Sequence, residues 1–142
     1  SRRRRRLGRW AVTILDTQVW VWWVNEPSMI PPALLGYLQV NEKYGFGVSV
    51  ISFLEVARLA AAGRLVLPVA TEAWLVEAMR YPAMQAIELS TRIAVASVEL
   101  PGEFHKDPAD RIIVATAMTM GRMLATTDRK IMSYPHVQTV AY

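Results

Sequence analysis

Short apolar runs of about five residues recur along this chain, and the segments between them carry apolar residues at helical spacing. Such a run is too short to be a helix with its own core face and suits a strand buried on both sides. Ala11-Val-Thr-Ile-Leu15 is the clearest case, and residues 47–51, 84–89, 122–126 and 137–141 follow the same logic. Helices are expected over 19–24, from 31 or 32 to 43, and over 52–61, 71–80, 91–99, 108–121 and, as a short turn, 129–132. A further short extended piece is expected at 64–67. Strands alternating with helices in this way predict an α/β/α sandwich in three layers around a mostly parallel sheet.

At 142 residues with 53% hydrophobic residues, the chain is expected to fold as one domain over residues 11–142. No apolar run reaches the roughly 18 uncharged residues of a membrane span, so a soluble, cytoplasmic protein is expected. There is no cysteine, which leaves carboxylate or imidazole for any metal site. The net charge of +4 suggests a nucleic-acid partner, but six of the basic residues fall in positions 1–10, which contain no acid. Removing those six charges leaves residues 11–142 at −2. Residues 1–10 are therefore read as a disordered basic arm. They are not read as a secretory signal, because the following apolar stretch ends at once in Asp16.

The four aspartates are Asp16, Asp107, Asp110 and Asp128. Asp16 directly follows the first expected strand and Asp128 follows the fourth, while Glu55 lies one turn into the helix after the second. Asp107-Pro-Ala-Asp110 opens the helix at 108, with Pro108 in the first helical position, where a missing N–H does no harm. Ligands of parallel sheets bind beyond the carboxyl ends of the strands, so Asp16, Glu55, Asp110 and Asp128 are expected to converge on one rim.

Each acid also has a structural reading. Asp107 and Asp110 suit a cap and a charge at the positive helix end, and Ser52-Phe-Leu-Glu55 has the letters of a capping box. Taken together, three or four crowded carboxylates repel one another, and a hard divalent cation relieves that conflict. All-oxygen ligation selects Mg²⁺ or Mn²⁺, and one or two such ions suit phosphodiester hydrolysis.

Four motifs also carry a family resemblance. Leu15-Asp16-Thr17, Ser49-x-x-Ser52-x-x-Glu55, Leu100-Pro-Gly-x-Phe-His-x-Asp107-Pro-Ala-Asp110-Arg-Ile-Ile-Val-Ala-Thr-Ala117 and Leu124-Ala-Thr-Thr-Asp128 together resemble a PIN domain of the VapC toxin type, over roughly residues 11–142. The resemblance implies a five-stranded sheet in the order 3-2-1-4-5 and a Mg²⁺- or Mn²⁺-dependent endoribonuclease. It further implies products with a 5′-phosphate and a 3′-hydroxyl, a cognate antitoxin and a homodimer. By motif matching, Asp16, Glu55 and Asp110 are the central catalytic and metal-binding acids and Asp128 the fourth. Asp107 is read as helix cap and support, and Thr17 and Ser52 as residues behind the ligands, Ser52 either as N-cap or as a partner of Glu55 or a water. The arginine arm departs from the family pattern, and the slightly acidic body departs from what an efficient RNA binder would show.

Other residues carry less. His105 reads as a surface residue or a phosphate or water contact, and Arg111 as a partner of Asp107, Glu99 or RNA. Trp20, Trp22 and Trp23 are expected to serve the core and a dimer or antitoxin contact. The alternative function is a non-catalytic module, either an inactive PIN-like domain that binds RNA or protein, or a phosphoacceptor receiver. A receiver needs paired acids after the first strand and a lysine after the fifth, and neither is present.

Overall fold

The structure, a computed structural model, describes residues 12–142, so the expected basic arm and Ala11 lie outside the described residues. In chain order the elements are β1 (Thr13–Leu15), α1 (Thr17–Asn25), α2 (Pro32–Asn41), β2 (Phe46–Ser49), α3 (Ile51–Ala61), α4 (Thr71–Ala78), β3 (Met84–Ile87), α5 (Thr91–Val98), α6 (Pro108–Met120), β4 (Leu124–Ala125) and α7 (Arg129–Met132). The sheet is parallel in the order β3-β2-β1-β4. Its centre is fixed by Ile14, which pairs with Gly47 on one side and Leu124 on the other.

The fifth strand of the expected 3-2-1-4-5 order is reduced to one parallel bridge, Leu124 to Thr139. Leu124 N–H donates to Gln138 O, and Val140 N–H to Leu124 O. The segment therefore lies where a fifth strand belongs, but β4 is only two residues long and offers little ladder to extend. The extended piece expected at 64–67 forms no strand. Met84–Ile87 does form β3, yet as an edge strand it is only partly covered, unlike β1 and β2, which are buried throughout.

Alternation along β1 sends side chains into two cores. Leu15 joins Trp20, Leu34, Leu38, Phe46, Val48 and Trp74 on one face. Ile14 joins Ile113, Val114, Leu124, Ile131 and Tyr134 on the other. These two cores make the three layers, with α1 to α4 contributing to the first and α5 to α7 to the second. Gly47 permits the second core to close against β2: a Cβ there would meet Ile87 Cδ1 at 2.5 Å and Ile14 Cδ1 at 2.9 Å.

The tryptophans contribute mainly to the first core. Trp20 is fully buried and its ring lies 5.1 Å from that of Trp74 and 5.7 Å from that of Phe53. Trp23 meets Phe46 edge-on at 5.1 Å, and Trp22 is half-buried against the same cluster. Among the described residues, no helix is long and apolar enough to cross a membrane.

Candidate functional site

Asp16 ends β1 and is the N-cap of α1, so one residue joins the strand end to the helix start. It is buried, and each oxygen has a donor: Thr17 N–H to Oδ1 at 2.8 Å and the Thr126 hydroxyl to Oδ2 at 2.7 Å. Burial raises its pKa, the Thr126 and Thr17 hydrogen bonds pull it back, and the charges of Asp128 and Asp107 raise it further. Thr126 also accepts the Asp128 N–H at 3.0 Å. A single hydroxyl thereby ties the end of β1 to the turn after β4.

Asp128 caps α7, accepting from Lys130 N–H at 2.8 Å and Ile131 N–H at 3.3 Å through Oδ1. Glu55 stands one turn into α3 and accepts a short hydrogen bond from the Thr17 hydroxyl. Because Thr17 spends its proton there, its 2.7 Å contact with Ser52 makes Ser52 the donor. Ser52 thus touches Thr17 rather than Glu55 itself.

The capping box read from Ser52 and Glu55 does not form. The helix begins at Ile51, one residue earlier, with Val50 as an N-cap that supplies no side-chain hydrogen bond. Ser49 takes the turn instead, accepting Ile51 N–H at 3.2 Å. Ser52 is fully buried inside the first turn, so both letters of the box face α1 rather than their own backbone. The Asp107 cap forms as expected, with Oδ2 accepting Asp110 N–H at 3.0 Å.

Asp110 stands in the first turn of α6. Burial, followed by the charges of Asp16, Asp107, Asp128 and Glu55, pushes its pKa up to about 7. Glu55 is also raised, by burial first and then by Asp16 and Asp107, against the opposing Thr17 hydrogen bond and the Arg58 charge. Carboxylate oxygens of Glu55, Asp107 and Asp110 lie within 4.8 Å of one another. Asp16 and Asp128 do not belong to that trio, but with Glu55 and Asp110 they line one cavity of about 410 Å³. All four expected acids therefore face one space, and Asp107 adds a fifth carboxylate beside it.

Five carboxylates gathered at one place, three of them (Asp16, Glu55 and Asp110) raised in pKa by burial and by neighbouring acids, are a donor set suited to a hard divalent cation. A cation would reverse each of the repulsions that raise these pKa values.

His105 and Arg111 are placed differently from their sequence readings. His105 Nε2 is 3.1 Å from Asp110 Oδ2, an electrostatic contact without the alignment of a good hydrogen bond, since the same buried nitrogen has no directed partner. Its Nδ1 accepts Asp107 N–H at 3.3 Å, and its ring stacks on Phe104 at 4.4 Å. Arg111 binds neither Asp107 nor Glu99. Its guanidinium donates to Ser97 O at 2.8 Å, Phe104 O at 2.9 Å, and His105 O and Val98 O at 3.2 Å. Four carbonyls occupy it as a clamp on the segment that carries His105. Arg64, which also lines the cavity, falls in the stretch expected to be extended, and nothing in that pattern marks it as a site residue.

Comparison with known proteins agrees with this fold. Residues 13–137 match the PIN domain family. The chain is 32% identical over 127 residues to ribonuclease VapC22 of Mycobacterium tuberculosis, covering 89% of this chain and 95% of that protein. Among solved structures it is similar to VapBC2 from Rickettsia felis bound to a DNA fragment from its promoter, with a TM-score of 0.67, 17% identity, and 91% and 97% of the two chains covered. It is also similar to DNA-bound VapBC from Salmonella typhimurium, with a TM-score of 0.65, 17% identity, and 92% and 97% covered.

Proposed function

This chain belongs to the PIN domain family, and from that premise we propose that it is a metal-dependent endoribonuclease acting as the toxin of a toxin–antitoxin pair in the cytoplasm. The observation that carries the reading is the cavity at the carboxyl end of the sheet, lined together by Asp16, Glu55, Asp110 and Asp128. The 32% identity to a ribonuclease over most of both chains supports the reaction class. The VapBC complexes among the structural relatives support an antitoxin as partner, and a homodimer is the assembly we assign with it.

Mg²⁺ or Mn²⁺ is the cation we assign, held by Asp16, Glu55, Asp110 and Asp128, with Asp107 within reach of the same space. When bound, such an ion supplies Lewis acidity toward a phosphodiester and an attacking water. The protein's own contribution is positional. Thr17, itself bonded to Ser52, holds Glu55, Thr126 holds Asp16 beside Asp128, and the cap made by Asp107 sets the first turn that carries Asp110. Held on strand and helix ends, these acids need little reorganisation to meet a cation and a phosphate.

The test is purified protein with RNA in Mg²⁺ or Mn²⁺. Cleavage to 5′-phosphate and 3′-hydroxyl ends, abolished by EDTA and by Asp16→Asn or Asp110→Asn, is the expected result. Undiminished cleavage by either variant, or in EDTA, would overturn the assignment.

A further inference from the structure

Five carboxylates outnumber the charge of one divalent cation, so further positive charge beside them favours the settling of a phosphodiester strand in the cavity. Among the described residues that line it, Arg64 is the one cation. Its place follows from how α3 ends. Gly63 adopts φ +70°, a left-handed conformation that glycine takes without Cβ strain. The chain then folds back, with Arg64 N–H donating to Leu59 O at 2.9 Å and Leu65 N–H to the same oxygen at 3.2 Å. This turn brings Arg64 to the cavity that Glu55 enters from the other end of the helix.

Arg64 is exposed and makes no ion pair among the described residues, although four acids line the same cavity. An arginine held at the rim of an acidic site without a carboxylate partner keeps its five donors for a ligand. Beside it, Val21, Leu59 and Leu65 supply an apolar wall. Phosphate-binding charge next to an apolar wall matches the two halves of a nucleotide.

We propose that Arg64, with Val21, Leu59 and Leu65, forms a nucleotide subsite flanking the acids, in which Arg64 takes a phosphate of single-stranded RNA next to the bond that is cut. This rests on the endoribonuclease reading and adds to it the residue that places the strand. Arg64 is a positioning residue, since the reacting atoms belong to the acids.

The experiment measures binding of a fluorescein-labelled single-stranded RNA to the full chain carrying Asp110→Asn, as a function of salt, with and without Arg64→Gln. Loss of one phosphate contact lowers the slope of log Kd against log salt by about 0.7 and weakens binding roughly tenfold at low salt. Arg64→Lys keeps the slope, because a single phosphate contact needs charge more than fork geometry. Arg92→Gln, an exposed cation on α5 away from the cavity, leaves it unchanged. With Asp110 intact and Mn²⁺ present, Arg64→Gln raises KM several-fold and changes kcat little.

An unchanged slope and an unchanged KM in Arg64→Gln would overturn the subsite while leaving the nuclease standing. If the parent protein neither cleaves nor binds RNA, the endoribonuclease reading fails and the subsite falls with it. Unchanged melting temperatures of the Arg64 variants confirm that binding, not folding, is being read.

Discussion

Two helix starts in this molecule look alike in sequence and behave differently in the fold. Both α6 and α3 begin with a small polar or acidic residue followed three positions later by an acid, Asp107-x-x-Asp110 and Ser52-x-x-Glu55. At α6 the first residue caps the helix, and its carboxylate still reaches the space shared with Glu55 and Asp110. At α3 the helix starts early, Ser49 takes the turn, and Ser52 and Glu55 are drawn toward Thr17. The lesson is that one motif can position an acid in two ways: through its own backbone at α6, and through a neighbouring helix at α3. The α6 acid is thus set locally, and the α3 acid depends on contacts 35 and 38 residues away in sequence.

The largest expected effect lies at the acids themselves. Asp110→Asn and Glu55→Gln are each expected to lower metal-dependent cleavage ~100-fold or more, about 3 kcal/mol of lost transition-state stabilisation, read as single-turnover rates at saturating Mn²⁺. The next effect isolates the long-range support of Glu55. Thr17→Val should cost 10- to 100-fold in activity or metal affinity, roughly the range for residues behind a ligand, with little change in melting temperature. A Thr17→Val enzyme as active as the parent would show that Glu55 does not need α1.

A smaller effect concerns the charge that both starts bring to one place. The ordinary value for an aspartate here is 3.8, and Asp110 is raised to about 7 by burial and then by its acidic neighbours. Between those values the folded protein holds a proton that the unfolded chain has released. Metal-free stability therefore falls as pH rises through that window and is regained on acidification. The expected loss between pH 4 and pH 8 is roughly 2 kcal/mol, about half of what the full shift would give because Asp110 keeps some contact with solvent that screens its neighbours, followed by thermal melting in EDTA. Saturating Mn²⁺ should flatten or invert the trend, because the cation favours the ionised acids. A melting temperature that rises with pH in EDTA would contradict the crowding.

The smallest effect sharpens the local half of the comparison. Asp107→Ala and Asp107→Asn both remove the charge, but only asparagine retains a capping oxygen. The alanine variant should be about 1 kcal/mol less stable than the asparagine variant by urea melts. Equal stabilities would mean that the Asp107 cap contributes nothing.

Much of the fold was legible because its signals are local. Residues 11–15 read as a buried strand ending at Asp16, and the described part, Thr13–Leu15, forms it, with Asp16 capping the helix that follows. Asp107 with Pro108 marked the start of α6, and the Asp107 carboxylate caps it by accepting Asp110 N–H. The fifth strand was harder to judge, since residues 137–141 look as apolar as the others and only the shortness of β4 limits their pairing. At the site, the four acids were legible as strand-end and helix-start residues. His105 and Arg111 were not, because a loop histidine facing Asp110 and an arginine clamped by four carbonyls leave no periodic trace. Arg64 was equally silent, being defined by a turn.

By itself, the sequence determined where β1 ends at Asp16 and where α6 opens at Asp107 and Pro108, since apolar runs, capping side chains and proline act over one turn or one strand. It also supplied the all-oxygen donor set, a matter of which residues are present and which are absent. Tertiary structure decided which groups touch: Thr17 with Glu55, Thr126 between Asp16 and Asp128, His105 against Asp110, and Arg64 at the rim. Those contacts follow from the order of strands in the sheet and from where each helix falls across it. Burial and mutual repulsion, which hold Asp110 near 7, exist only once the parallel sheet has brought distant strand ends to one edge.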